Sequence, residues 1–305
     1  MDIGLVTDSY VESVMYRRFG LAVKKTGNEW HSGCPRCGGH KRFVIFANGG
    51  MYCRECPQRG WLDDDQKNFK PDPLLLIQRA EEIKRRRAEQ DARDTEWQAG
   101  YRAGYAQGWH DALTEINRAW WRARGIEDTI IEKYQLGYCP NKHVQTDAGE
   151  IEMGAYTIPI RNPVDWKIVN VQYRLENPPT GVGKYRQERG ISAAAFFAER
   201  ADCGATNALV VEGAIKAMVC YDGIEGATQV IGLPGCAPSE KIIEQMKVFR
   251  RLWIALDPGA ESAAQRLKDE LPQARVLDLP DKPDDLFLHG GLTRAKFHDY
   301  ARQAR

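Results

Sequence analysis

At 305 residues, with 43% hydrophobic and 28% charged side chains, the chain is long enough for about two domains with real cores and has the composition of an ordinary soluble protein. No apolar run approaches the roughly 20 residues of a membrane-spanning helix. The start, MDIGLVTDSYVESV, carries acids where a signal peptide carries a basic segment, so a cytoplasmic protein with no membrane partner is expected. The net charge of +1 is unevenly spread: residues 1–62 hold 9 basic and 5 acidic side chains, residues 160–200 hold 7 and 4, and residues 201–305 hold 13 and 15. Two mildly basic regions before an acidic one suit contact with a polyanion by the first two and with metal by the third.

In chain order, residues 1–20 read as a short helix, because Val11, Val14, Met15 and Phe19 recur at helical spacing and Gly20 stops it. Next comes the strongest motif in the chain. Cys34-x2-Cys37 is followed, 15 residues on, by Cys53-x2-Cys56. Each pair can present two thiolates to one ion, and two pairs complete a tetrahedral zinc site. Between them, β-rich runs at Arg42–Ala47 and Met51–Cys53 flank an Asn-Gly-Gly turn, which makes the segment from about Trp30 to Trp61 a zinc ribbon. Cys139, Cys203, Cys220 and Cys236 form no further pair and read as free core thiols.

Asp63–Pro73 has the acids and prolines of a linker, and a helical segment follows from about Leu74 to Arg122. Its first half is charged, with Glu81/Arg85, Glu82/Arg86 and Glu89/Arg93 at i,i+4, the pattern of a solvated spacer helix. Its second half carries Trp97, Tyr101, Tyr105 and Trp109 every four residues, with glycines at 100, 104 and 108. Three helical glycines cost about 1 kcal/mol each, which points to a close backbone approach and to aromatic packing against the next domain. Two helices around Gly125 are expected after Ala119, then two strands in GAYTIPIRNPVDWKIVNVQYRLE around an Asn-Pro turn, then a basic loop, PPTGVGKYRQERG. That loop is no P-loop: Tyr follows Gly183-Lys184, and Pro178 stands where a glycine is required.

From Asn207 strands and helices alternate: ALVVEG, AIKAMVCYDG, TQVIGLPG, APSEKIIEQMKVFR, RLWIALDPG, AESAAQRLKDELP and ARVLDLP. This is a parallel sheet covered by helices. Working residues in such sheets lie at the carboxyl ends of strands. Glu212 and Asp257 end two strands, and Asp281, Asp284 and Asp285 follow a third. Carboxylates converging on one edge suit Mg²⁺, which prefers hard oxygen ligands. The expected fold class is multidomain α/β: a β-rich zinc ribbon (1–65), a charged helical linker (66–118), and an α+β core made of a basic subdomain (119–206) and a parallel-sheet subdomain (207–305).

VVEG followed by a helix, LDPGAESAA and LPDKPDDL resemble the three Toprim motifs shared by bacterial and phage primases, topoisomerases and some nucleases. RARGIEDTIIEKYQLGYCP resembles the entry to the primase core, YTIPIRNPVDWKIVNVQYRL with GKYR resembles its basic subdomain, and the ribbon resembles the primase zinc domain. The order of these pieces is similar to that of DnaG-type primases, closest in layout to the primase half of phage primase-helicases. The resemblance implies a DNA-dependent RNA primase making short primers on single-stranded DNA. In it Glu212, Asp257 and Asp284 are catalytic and, with Asp281, hold Mg²⁺ or Mn²⁺. Arg161, Arg174, Lys184 and Arg186 handle NTPs and template, and the ribbon reads template through His31, Lys41, Arg42 and Phe43.

It also implies a phage, plasmid or mobile-element source and, without a P-loop, a separate helicase or initiator as partner. Three departures bear on it. Gly259 stands where the family has a second Asp, with Glu261 two residues on as a possible replacement. Lys216 stands where the family has an Asp, and Lys282 replaces the first Asp of Asp-Pro-Asp. A sparser metal site, a site completed by template and NTP, and lost catalysis all fit these changes. Two alternatives therefore stay open: a Toprim nuclease, and a non-catalytic or regulatory nucleic-acid-binding homologue.

Overall fold

Alternating apolar side chains at Trp30, Phe43, Ile45 and Met51 build the inner face of a five-stranded antiparallel sheet near the N-terminus. A computed structural model describes residues 6–62, 73–100, 102–146, 149–224 and 228–304. The linker stretch 63–72 and Tyr101 lie outside the described residues. The chain divides into two compact units, residues 1–84 and 85–305.

In the first unit, α1 (Asp8–Phe19) is capped by Thr7, whose hydroxyl accepts from the Tyr10 N–H, and ends at Gly20 in the left-handed region. It lays Val11, Val14 and Met15 on the sheet β1 (Lys24–Thr26), β2 (Glu29–Cys34), β3 (Gly38–Phe46), β4 (Gly50–Cys53) and β5 (Arg59–Trp61), whose strands pair in sequence order. Arg18 fastens the helix by donating to the carbonyls of Trp61 and Leu62 at 2.9 and 3.0 Å. The turn between β3 and β4 is the expected one: Asn48 Oδ1 accepts from the Gly50 N–H at 3.0 Å.

The division between the units falls within α2 (Pro73–Ala99). The charged stretch of α2 is exposed from Glu81 to Arg93, apart from the half-buried Gln90, and the helix turns inward only at Asp94 and Trp97. Asp94 is 5% exposed and accepts from the Ser192 N–H at 3.0 Å, and Trp97 is buried against Val171 and Tyr173. The aromatic repeat is core packing where it is described. Tyr105 stacks on Trp109, and Trp109 meets Tyr173 edge-on at 5.9 Å. The close backbone approach falls elsewhere than on the helical glycines. A Cβ on Gly104 or Gly108 would meet open space, whereas one on Gly137 would lie 2.8 Å from the Trp109 backbone.

After α3 (Arg102–Asp111), α4 (Glu115–Arg122) and α5 (Asp128–Tyr134), an antiparallel sheet runs β6 (Gly137–Thr146), β7 (Gly149–Arg161), β8 (Ile168–Leu175), β9 (Tyr185–Gln187). After the short strand β10 (Phe196–Phe197) the expected alternation follows: β11 (Asn207–Glu212), α6 (Ala214–Ile224), β12 (Gln229–Leu233), α7 (Glu240–Met246), β13 (Arg251–Ala255), α8 (Glu261–Glu270) and β14 (Ala274–Val276). Then come α9 (Pro283–Leu288), where the sequence predicts an acidic turn, and α10 (Arg294–Gln303). The sheet order is β10-β12-β11-β13-β14, parallel except for the edge strand β10. Leu209 and Val211 face a core that also holds Trp121, Ile131 and Ile158, while Ala208 and Val210 face a second core with Ile242 and Leu267. The antiparallel and parallel sheets therefore share one apolar core.

Candidate functional sites: a four-cysteine centre, a basic-aromatic face and a carboxylate edge

The knuckles at Cys34–Cys37 and Cys53–Cys56 meet. Their sulfurs all lie within 4.8 Å of one another, with Cys34–Cys56 at 3.7 Å and Cys37–Cys53 at 3.6 Å. Zinc at about 2.3 Å from each sulfur needs sulfur–sulfur edges of about 3.8 Å, so the cluster fits zinc. The N–H groups of Arg36 and Glu55 donate to Cys34 and Cys53 at 3.4 Å, stabilising thiolates at the two knuckles.

Strand register assembles the outer face of this sheet. Lys24, His31, Val44, Tyr52 and Arg59 form one row across all five strands. Phe46, two residues along from Val44, stacks on Tyr52 at 5.6 Å, and both rings are 38% exposed. Arg42 and Lys41 are exposed. Phe43 is not a template contact: it is fully buried, edge-on to Phe19, because strand alternation turns it inward with Ile45. His31 is on the outer face but only 9% exposed, 3.5 Å from Glu29. The exposed aromatic pair Phe46–Tyr52 was not singled out from sequence, since its rings come together only through the β3–β4 register.

Exposed stacked aromatics beside arginines are the usual platform for unpaired bases, worth about 1–3 kcal/mol per base. Tyr52→Ala tests whether this face takes unpaired bases: a stacking role predicts about tenfold weaker affinity for a labelled single-stranded oligonucleotide by fluorescence anisotropy, with thermal stability nearly unchanged. Unaltered affinity would remove Tyr52 from the binding face.

In the second unit, Tyr156 of β7, Arg174 of β8 and Tyr185 of β9 stand in one cross-strand row. Trp120 stacks on Tyr156 with ring centroids 3.5 Å apart, and the Arg124 guanidinium lies 3.5 Å over Trp120. Burial, and then the charge of Arg174, push the Arg124 pKa down. Two guanidiniums held near each other on an aromatic floor form an anion-ready surface. Arg124 lies in the turn just after α4, in WWRARG, and only its position in space marks it.

The other expected cations are placed differently. Lys184 is exposed in the loop before β9. Arg186 pairs with Tyr173 and so faces the opposite side of the sheet from Arg174. Arg161 donates to Gln135 and to the Trp166 carbonyl, and burial pushes its pKa down. It ties the end of β7 to the cap of α5.

At the carboxyl edge of the parallel sheet, Glu212 ends β11 and accepts from the Cys236 thiol at 3.7 Å. Burial, then the Glu212 charge, push that thiol's pKa up. Asp257 follows β13, and both its carboxylate oxygens accept from the Lys216 ammonium. Asp284 opens α9, and its Oδ1 is buried without a hydrogen-bond partner. Asp281 is exposed and accepts from the Lys282 N–H. Glu261 does not replace the missing acid: its carboxylate turns back onto the Gly259 N–H at 2.8 Å.

Among the described residues, the four cysteines are the one set of three or more metal-ligating side chains whose donor atoms all lie within 4.8 Å of one another. Mg²⁺ needs oxygens at about 2.1 Å in an octahedron. As placed, Glu212, Asp257, Asp281 and Asp284 do not form that set. A cavity of about 1010 Å³ lined by Arg250, Arg251, Arg275 and Arg302 lies at the opposite end of the sheet and includes none of these acids.

Burial is the main cause of a raised Asp284 pKa. Its charged form is therefore penalised in the folded state, with the penalty complete above the raised folded pKa and absent below the unfolded value near 3.8. Asp284→Asn is expected to stabilise the second unit by on the order of 1 kcal/mol at pH 7. The gain should fade as pH drops towards 4. Urea midpoints at several pH values test this, and a loss of stability at pH 7 would contradict it.

No family model matches the chain, and no curated protein matches it in sequence. Solved structures do match. The primase of Aquifex aeolicus, comprising zinc-binding and RNA polymerase domains, aligns over 97% of this chain and 83% of its own at TM-score 0.56 and 15% identity. The RNA polymerase domain of Mycobacterium tuberculosis DnaG, in complex with a double-stranded DNA bearing a 6-nucleotide overhang, aligns over 69% of this chain and 81% of its own at 0.54 and 18%. A DnaG catalytic domain bound to single-stranded DNA aligns over 66% and 76% at 0.51 and 16%. The class defined by this architecture is a cysteine-ribbon unit followed by a mixed α/β core. Its fold is that of the zinc-binding and polymerase domains of DnaG-type primases.

Proposed function

We propose that this chain is a template-dependent primase that binds single-stranded DNA and joins ribonucleotides into short primers. The observation that carries this reading is the presence, in one chain and in primase order, of a four-cysteine ribbon and an α/β core with acids at the strand ends. The neighbours solved with DNA support a nucleic-acid substrate. In this reading Tyr52, Phe46 and Arg42 hold template bases and backbone at the ribbon. Arg174, Arg124 and Lys184 hold phosphates of template or NTP, and Glu212 stands at the reacting edge. The reaction is attack of one nucleotide's 3′-hydroxyl on the α-phosphate of the next, with pyrophosphate leaving. Mg²⁺ or Mn²⁺ at Toprim acids belongs to the family pattern, but in this chain it requires Lys216 to leave Asp257. A separate helicase or initiator as partner, and a mobile-element setting, complete the reading.

A specific observation favours a second reading, a non-catalytic template-binding homologue: Asp257 is already neutralised by Lys216. Labelled NTP incorporation on a panel of short single-stranded DNAs separates the two. Primase activity predicts template-dependent oligoribonucleotides whose yield falls at least about a hundredfold in Glu212→Gln and in Arg174→Ala. Template binding with no product under any metal would establish the second reading.

A further inference from the structure

We propose that the Lys216 ammonium is a built-in counter-cation at the carboxylate edge, standing in for a divalent metal at Asp257. The step from β11 into α6 places Lys216 in the first turn of the helix, four residues after Glu212. From there its Nζ donates to both carboxylate oxygens of Asp257, with the two side chains 18% and 24% exposed. A divalent metal at Asp257 would need a carboxylate oxygen that the ammonium already holds, and an ammonium and a dication cannot share that carboxylate without strong repulsion.

The surrounding residues are adjusted in the same sense. Position 259, where the resembling family carries a second acid, is glycine at φ +94°, a backbone conformation that strains any L side chain. Glu261, the nearest acid in sequence, is turned onto the Gly259 N–H at the start of α8. Asp284 keeps one buried oxygen unbonded and feels the charges of both Lys216 and Asp257. Relative to that family, lysine in place of an aspartate at 216 changes the local charge by two, which is the charge of the ion it displaces. A partly buried lysine paired with one carboxylate would otherwise be a costly feature, because each charge loses water and is compensated only through the pairing.

The inference concerns the resting edge and holds whether or not the chain synthesises primers, so its test does not read synthesis. The probe is Mn²⁺, titrated without nucleotide into full-length, zinc-loaded protein and followed by electron paramagnetic resonance of the free ion. Wild type is expected to bind no stoichiometric Mn²⁺ below roughly 1 mM. Lys216→Asp should gain one Mn²⁺ per chain at least about tenfold more tightly, and the gain should vanish in the Lys216→Asp/Asp257→Asn double variant. In thermal scans Mn²⁺ should raise the midpoint of Lys216→Met and leave wild type unmoved. One Mn²⁺ bound per wild-type chain at micromolar concentration, and lost in Asp257→Asn, would overturn the proposal. That wild-type against Asp257→Asn comparison decides the matter even if the Lys216 variants fail to fold.

Discussion

Removing zinc, by a strong chelator or by Cys37→Ser, is expected to unfold residues 6–62 while residues 85–305 keep their structure. The first unit has a thin core. Among the described residues, Val11, Val14, Met15, Trp30, Phe43, Val44, Ile45, Met51 and Leu62 are its buried apolar side chains beyond the cysteines themselves. A core of that size supplies only a few kcal/mol, whereas structural zinc contributes about 10–16 kcal/mol. Without metal the cluster is also electrostatically poor. Burial raises the Cys34 pKa, but the N–H groups of Cys37 and Arg36 outweigh it and bring the thiol down to about 7. Cys37 is pushed up to about 12, by burial first and then by the neighbouring cysteines. One thiolate forms readily and the next resists, so zinc must displace protons on binding. Its affinity rises with pH, and a chelator should strip it more easily at pH 6 than at pH 8. Amide exchange resolved by segment, with zinc counted by native mass spectrometry, reads both units at once. Protected β2, β3 and β4 amides in zinc-free protein would show that the core stands without metal.

The ribbon and the alternating half of the chain were legible because their signals are local. Two Cys-x2-Cys pairs, an Asn-Gly-Gly turn and four strand–helix repeats each depend on residues close in sequence, and each appears where expected. Short polar strands were not legible. Lys24–Thr26 and Tyr185–Gln187 have no apolar alternation and are strands only because neighbours pair with them. Side-chain direction was the other loss. Phe43 looks like a base-stacking residue beside Lys41 and Arg42, yet a period of two sends it into the core and leaves Phe46 and Tyr52 outside. Arg174 and Arg186, both on strands of one sheet, fall on opposite faces for the same reason. The ion pair between Lys216 and Asp257 joins residues 41 positions apart. The sequence flags the lysine as a departure from a pattern, but only the fold shows what it touches.

Trp121→Ala is expected to cost the second unit about 3–5 kcal/mol, the range for a fully buried aromatic replaced by alanine. Trp121 is 0% exposed in the core shared by α4, α5, β7 and the parallel sheet. It meets Trp120 edge-on at 4.9 Å and Tyr156 edge-on at 5.5 Å, so it sets the position of the stacked pair that carries Arg124. Two consequences follow from one cavity. The unit loses stability, and the Arg124–Arg174 surface loses its floor, so DNA affinity should fall even at temperatures where the variant is folded. Trp121→Phe separates volume from polarity. The Trp121 Nε1 is buried without a hydrogen-bond partner, which penalises the native residue by about 1–3 kcal/mol. Phenylalanine removes that donor while filling most of the space, and is expected to cost far less than alanine. Urea unfolding of both variants, with anisotropy of labelled single-stranded DNA in the folded range, gives the comparison. Equal losses for phenylalanine and alanine would mean that the indole N–H is satisfied in solution and that packing volume is not what Trp121 contributes.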